Sequence, residues 1–534
     1  MLRKMLNKKS LLICCLIVSL LVSITSCSKT GDKETKTSFD EDIKLTYPIQ
    51  SDKPIKLRFW TEMHGAAAKF ISSYNENWAY KKIQEETGIQ IEFIHPTLGS
   101  EQEQFNIMIA GGDLPDIMHG GNRYKGGIVQ GVKDGIFLDL TDYIEKYAPD
   151  YYKIVTSDEN LLREVTTDDN RFYSIDCVMK PGDPVAPPWF RPNIRKDWLD
   201  EFGMDIPQTL DEVEAYFDAV QKYKGTDVLC VAFPQYGSWH DEIFYQPYNI
   251  LPNFFVVDGK VKYGKIEPAL KDYLQRMNKW YQKGYISKDF LSYDMNQLMG
   301  QFQAGKVAMV LDSVDVMYDR AKEANIKVVS LPYFRLKRGD KLHTGPRQSY
   351  HGGMEAVVTK DCKYPEIAVH FLNYGFTDKG FLTYNYGIEG VTYNIVDGVP
   401  KYTDEIVNPN DMTHEAASYV KAIHFGTKRA LSDLVKFEST REPEAIAYRK
   451  RWADDPDVDD SYRLPPVKFT TEENSRLTKI MTDLTAYADE MVFKFIMGVE
   501  PIEKFDEYIQ HCKELGVDEA IQIYQTAYDR YMSK

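Results

Sequence analysis

Between Ile55 and His95 the chain changes its apolar period twice, and this narrows the possible folds more than any other stretch. In "IKLRFW" the residues Ile55, Leu57 and Phe59 alternate with Lys56, Arg58 and Trp60, the period of two of a strand. "NENWAYKKIQEETG" reads as a helix with Asn75 or Asn77 as its cap and Gly88 as its stop. Ile89, Ile91 and Phe93 then alternate again in "IQIEFIHP". Strand, helix and strand in this order make a βαβ unit. "EQEQFNIMIAGG" supplies a second helix and "PDIMHGG" a short third strand, so an open parallel sheet with helical crossovers is expected.

Ligands of open parallel sheets gather outside the carboxyl ends of the strands. "WTEMHG" (Trp60 to Gly65) and "HGGN" (His119 to Asn122) lie at two such ends, which makes Trp60, His64 and His119 binding candidates. Either histidine alone would equally suit a satisfied loop position, and it is their shared location that argues for function.

Further on, "PPWFRPNIRKDWLDEF" passes from a Pro-rich extended stretch into a helix with Trp198 and Leu199 toward the core, the start of a second domain. The helix "QTLDEVEAYFDAVQKY" follows, then the apolar stretch "TDVLCVAF" and the loop "PQYGSWHDE". Val307 to Leu311 form a strand that finishes on Asp312 and Ser313, and "IKVVSLPYF" and "GGMEAVVTK" read as strands. Pro365 opens a helix with Ile367, Ala368, Phe371 and Leu372 on one face. The tail is helical, with a capping box from Thr470 and Glu473 and glycine stops at Gly498 and Gly516.

The first residues carry a different signal. Arg3, Lys4, Lys8 and Lys9 precede a short apolar run, Leu11 to Leu21, and "ITSC" ends at Cys27. The run is too short to cross a bilayer, so it reads as an export signal, residues 1–26. "ITSC" resembles a bacterial lipobox, which would make Cys27 the lipid-modified first residue of the mature chain; an ordinary signal with an incidental cysteine is the alternative. Residues 27–52 are polar and aperiodic, a flexible tether.

Composition closes off other classes. Asp and Glu outnumber Lys and Arg by 80 to 65, with no basic arm, which argues against a nucleic-acid partner. Beyond the signal and Cys27, only Cys177, Cys230, Cys362 and Cys512 remain, widely spaced and without a CxxC pair, so buried free thiols are expected. A P-loop, H-E-x-x-H and G-x-S-x-G are all absent from the sequence.

Several segments resemble one known family. "YKKIQEETGIQIEFIHP", "EQFNIMIAGGDLPDIMHGG", "IRKDWLDEFGMDIPQTLDEV", "FQAGKVAMVLDS" and "YNYGIEGVTYNIVDGVPKYTDEI" look like the LipO-like lipoproteins of extracellular solute-binding protein family 1, which serve carbohydrate ABC importers. The similarity runs from about Lys53 to the C-terminus. It implies a two-lobed α/β fold of the periplasmic-binding-protein type II, with a hinge, a helical C-terminal extension and an oligosaccharide in the cleft. Carried over, residues 53–165 and 327–378 form the N-terminal lobe, and 166–326 and 379–534 the C-terminal lobe. The implied setting is the extracellular face of the cell membrane, with a monomer anchored through Cys27 and ABC permease subunits as partners. Many relatives carry a calcium-binding loop like an EF-hand after the helix corresponding to 209–223; here "KYKGTDVLC" offers only Thr226 and Asp227, so no cofactor is expected, and calcium stays open only through the acidic loops "DDNR" (168–171) and "DDPDVDD" (454–460), which read first as solvated loops.

A sugar presents flat C–H patches and rims of hydroxyls, which need aromatic faces and fixed planar polar groups. Aromatics are 13% of residues, and those in expected loops are the stacking candidates: Trp60, Trp189, Phe190, Tyr236, Trp239, Tyr350 and Tyr386. Polar candidates are His64, His119, Asp312, Gln348 and His351, with Arg191 and Glu389 in support. No catalytic residue is assigned. The rival classes are a secreted glycoside hydrolase or lyase, for which acidic pairs such as Asp312 with Asp315 would be needed, and a surface lipoprotein without a transport role.

Overall fold

The computed structural model describes residues 44–180, 190–231, 242–290, 295–347, 349–423, 430–432 and 443–533. The first strand, β1 (Ile55–Trp60), buries Ile55, Leu57 and Phe59 as its alternation requires. The helix Trp78–Thr87 is capped by Asn77, whose side chain accepts from the Tyr80 N–H, and it stops at Gly88 with φ of 72°. A side chain at Gly88 would need left-handed backbone and would bring a Cβ to 3.1 Å from the Ile49 backbone. β2 (Ile89–Ile94) then returns parallel to β1, in register from Ile55↔Ile89 to Trp60↔Ile94. The helix Glu101–Gly111 leads to β3 (Ile117–His119), parallel on the other side of β1.

Two short strands separate the sheets, β4 (Val178–Met179) and, much later, β14 (Leu431–Ser432), which pair with each other. The second sheet is built from β5 (Phe190–Arg195), β6 (Leu229–Val231), β9 (Val307–Ser313) and β10 (Val328–Ser330), in the order β10-β5-β9-β6. A hairpin, β7 (Phe254–Val257) with β8 (Lys260–Tyr263), lies between β6 and β9 in sequence. The chain returns to the first sheet with β11 (Ala356–Val358), which pairs antiparallel with β3 and gives the order β11-β3-β1-β2. The first sheet is therefore parallel with one antiparallel edge, because β11 arrives from the other lobe rather than through a helical crossover. A second hairpin, β12 (Tyr393–Val396) with β13 (Val399–Tyr402), follows.

Pairing and packing draw the lobe boundaries differently from the expected ones. β10 hydrogen-bonds to β5, so 328–330 belongs to the second lobe. The helix Asp378–Tyr386 packs on Trp78–Thr87, and His414–Val420 packs on the short helix Gly65–Ala68, so both belong to the first. The long helix Thr471–Met497, opened by the Thr470 and Glu473 capping box, buries Leu484, Val492 and Phe495 in the second lobe's core with Phe217, Trp280 and Val517. Trp198 and Leu199 are core residues, and Cys177, Cys230, Cys362 and Cys512 are buried free thiols. Among the described residues no helix is long and apolar enough to cross a membrane.

Candidate functional site

The carboxyl ends of β1 and β3 lie side by side, since Trp60 pairs with Met118. Two residues beyond β1, Glu62 forms an ion pair with Arg123, which follows β3, and the Gln102 amide donates to the Arg123 carbonyl at 3.0 Å. Both charged side chains are about a third exposed, at 32% and 30%. Arg123 also lines an open cavity of about 670 Å3, together with Gly99, Ser100, Gln102, Asn106 and Ile107. The guanidinium, held by the Glu62 carboxylate, presents planar donors to the cavity.

His64 caps the helix Gly65–Ala68, its Nδ1 accepting from the Ala66 N–H at 3.2 Å, and its ring lies flat on Tyr419 at 3.9 Å with 3° between planes. Burial pulls its pKa below 6.5 against the opposing pull of Glu415, so the ring is neutral at pH 7. Tyr419 is held there by Asn77, whose amide donates to the Tyr419 and Ala422 carbonyls at 2.8 Å each. His95, at the end of β2, has Nδ1 at 2.8 Å from the Thr61 carbonyl, while Nε2 accepts from the Tyr74 N–H at 3.1 Å. A carbonyl can only accept, so the proton sits on Nδ1, and burial keeps the ring neutral.

In the second sheet the matching end is formed by the start of β5 and the end of β9, where Arg191 pairs across the ladder with Asp312. Arg191 is 1% exposed and Asp312 is buried. The Arg191 guanidinium lies over Tyr333 at 4.2 Å and near Trp452 at 5.8 Å, and donates to the Leu331 and Pro332 carbonyls. Between the two sheets run the crossing segments. β4 pairs with β14 and bridges to His351, and His351 Nε2 stands 3.0 Å from the Asp176 carboxylate. Glu164 adds contacts to Arg347 and Ser349 on the same return segment.

Several expected site residues have other surroundings. Trp60 is 2% exposed and meets Phe105 edge-on at 5.7 Å in the first lobe's core, so it offers no face for stacking. Tyr386 is equally buried, between Tyr393 at 5.6 Å and Tyr402 at 5.4 Å. Arg191 packs into the second lobe rather than lining an open surface. His351 belongs to the crossing segments, and Tyr350 uses its carbonyl there to accept from Met179 at 2.7 Å. His119 ends β3 half-buried, beside the cavity strands, and Glu389 is exposed at the base of the β12–β13 hairpin. Phe190 opens β5 opposite Ser313. Cys27, Trp189, Tyr236, Trp239 and Gln348 lie outside the described residues.

Glu62, Arg123, Tyr419, Tyr333 and Trp452 were not singled out from sequence. Arg123 had a readable signal, since "HGGNRY" follows a strand end; Tyr419 had none, because its position depends on a contact to Asn77. Among the described residues no cluster of three or more His, Cys, Asp or Glu could hold a metal ion.

Comparison with known proteins agrees with this architecture. The chain is 23% identical over 542 residues to the fructooligosaccharide ABC transporter substrate-binding protein FusA of Streptococcus pneumoniae, covering 97% of this chain and 98% of that one. It is 22% identical over 551 residues to the polygalacturonan/rhamnogalacturonan-binding protein YtcQ of Bacillus subtilis, covering 98% and 99%. The crystal structure of the alginate-binding protein AlgQ2 without calcium ion superposes with a TM-score of 0.71 at 24% identity, over 90% of this chain and 99% of that one. The model of the bacterial extracellular solute-binding protein family matches residues 67–380, and with two lobes joined by crossing strands the chain belongs to that family of binding proteins.

Proposed function

We propose that this protein is the carbohydrate-binding component of an ABC importer, held at the extracellular face of the membrane by lipid on Cys27, and that it delivers an intact oligosaccharide to the permease. The observation that carries the reading is the pair of polar strand ends, Glu62 with Arg123 beyond β1 and β3 in one lobe, and in the other Arg191 and Asp312, buried neighbours across the β5–β9 ladder. A glycan bridging them favours the closed form by its differential affinity, and the closed form is the one a permease reads. No bond is broken, and no metal is required. The relatives are named for fructooligosaccharide and for polygalacturonan and rhamnogalacturonan, which supports the oligosaccharide class.

The test uses a soluble form beginning at Ser28 and a panel of oligosaccharides. A ligand at 100 times its Kd raises stability by about 2.7 kcal/mol, which a melting curve resolves. The expected result is a raised Tm, unchanged by a chelator, a contraction in solution scattering, and recovery of the sugar at its original mass. Shortened product would instead establish a hydrolase or lyase.

A further inference from the structure

The start of β5 in the second lobe holds a buried guanidinium that no described carboxylate pairs with. Three guanidinium groups meet there. Arg335 is bound to both oxygens of Asp455, at 2.8 and 2.9 Å, and Arg463 is paired with Glu242. Arg191 is the third. It is 1% exposed, its donors reach only the Leu331 and Pro332 carbonyls, and no described carboxylate stands within ion-pair distance of it. Its cross-strand neighbour Asp312 is on β9, whereas the guanidinium leans the other way, over the residues that follow β10. A guanidinium out of water is costly unless paired.

The same spot holds unused donors. Tyr333 and Trp452, the two rings that flank Arg191, are 1% and 2% exposed, and the Tyr333 hydroxyl and Trp452 indole N–H have no hydrogen-bond partner. Buried donors are almost always satisfied, so two orphans around one guanidinium without a direct ion-pair partner point to an acceptor with charge. A carboxylate has that chemistry: two oxygens with about four acceptor positions, able to take a bidentate guanidinium and still receive an O–H and an N–H. A neutral sugar hydroxyl would satisfy the donors and leave the charge. Burial pulls the Arg191 pKa down to about 10, which still leaves the group cationic at neutral pH.

We propose that Arg191, Tyr333 and Trp452 form a carboxylate subsite, and that the glycan this protein binds is acidic, built with uronate units. The proposal rests on the oligosaccharide reading above and adds the ligand's charge. Because the guanidinium is buried against the Tyr333 and Trp452 rings, a carboxylate reaches Arg191 only when its surroundings shift, and the fluorescence of the adjoining Trp452 indole reports the event.

The experiment titrates the soluble protein calorimetrically with trigalacturonate, trimannuronate and triguluronate, each beside its carboxyl-reduced neutral counterpart, and with neutral kestose and maltotriose. At least one uronate should bind about 10- to 100-fold more tightly than its reduced form, the range for hydrogen bonds to a charged group, with a fluorescence change that Trp452→Phe removes. Arg191→Gln should abolish the preference. Tyr333→Phe removes only a hydroxyl that bonds to nothing in the free protein; it should leave Tm unchanged while weakening the acid about tenfold. Neutral trisaccharides binding in place of every uronate, or a preference for acid that survives both Arg191→Gln and Tyr333→Phe, would overturn the subsite and leave the sugar reading intact. Failure of every sugar, acidic or neutral, would overturn both.

Discussion

Trp60 and Glu62 stand two residues apart at one strand end, and their surroundings give them opposite roles. Trp60 is 2% exposed, edge-on to Phe105 at 5.7 Å, with Met118 and Val357 in the same cluster. Truncating a buried indole removes transfer energy and leaves a cavity, together about 3–5 kcal/mol. For a large lobe each kcal/mol moves Tm by roughly 2–4 °C, so Trp60→Ala should melt on the order of 10 °C lower. Glu62→Gln breaks an ion pair whose partners are 32% and 30% exposed. Such a pair contributes ~1 kcal/mol or less to stability. The same change removes the charged acceptor that orients Arg123 at the cavity, which should weaken glycan binding about tenfold. Calorimetric melting and titration, the latter at a temperature where both variants are folded, separate the two effects. A Trp60→Ala variant that keeps its Tm and loses binding, or a Glu62→Gln variant with wild-type affinity, would refute the assignment.

Burial pushes the His351 pKa down, but Asp176 at 3.0 Å, with Glu164 and Glu355 behind it, outweighs burial and raises it above 6.5. A raised histidine contributes stability that is complete below about pH 6.5 and lost as pH rises through the folded value. His64, His95 and His370, all lowered by burial, act with the opposite sign, so the contribution is isolated by the difference between wild type and His351→Gln. The wild-type advantage in Tm should shrink from pH 6 to pH 8; a constant difference would show that the pair carries no charge. Asn77→Ala removes a helix cap and leaves the Tyr419 and Ala422 carbonyls without their donor, a loss of about 2–4 kcal/mol by urea denaturation. A loss below about 1 kcal/mol would mean that the helix His414–Val420 does not depend on this contact.

The first sheet was readable because its signals are local. Alternation in "IKLRFW" and "IQIEFIHP" fixed the strand faces, and Gly88 marked the turn between helix and strand. The capping box of Thr470 and Glu473 likewise depends only on residues three apart. β11 as an antiparallel edge was not readable, since three strand residues say nothing about the direction from which they arrive. The lobe boundary at 378 failed for a related reason: the helix Asp378–Tyr386 is assigned to a lobe by its partner, Trp78–Thr87, almost 300 residues earlier. The β12–β13 hairpin did carry a local signal, Asp397-Gly398 between valines, with φ of 54° and 79°.

The candidate site was legible as a pair of neighbouring strand ends and much less so as a set of side chains. The rule that ligands gather at carboxyl ends located Trp60–Gly65 and His119–Asn122 on adjacent strands, yet which way each side chain points depends on strand parity. Trp60 continues the β1 strand, and its ring is carried into the core; Glu62 lies past the last ladder pair and is free to turn outward to Arg123. Aromatic residues are the least safe to assign from loops, because a ring that can stack on a sugar can equally fill a core, as Tyr386 does. Charge discriminates better. A buried arginine that no described carboxylate pairs with is expensive whatever the fold around it, so among the expected residues Arg191, taken from sequence only as a supporting choice, gives the proposed acidic ligand its most specific test.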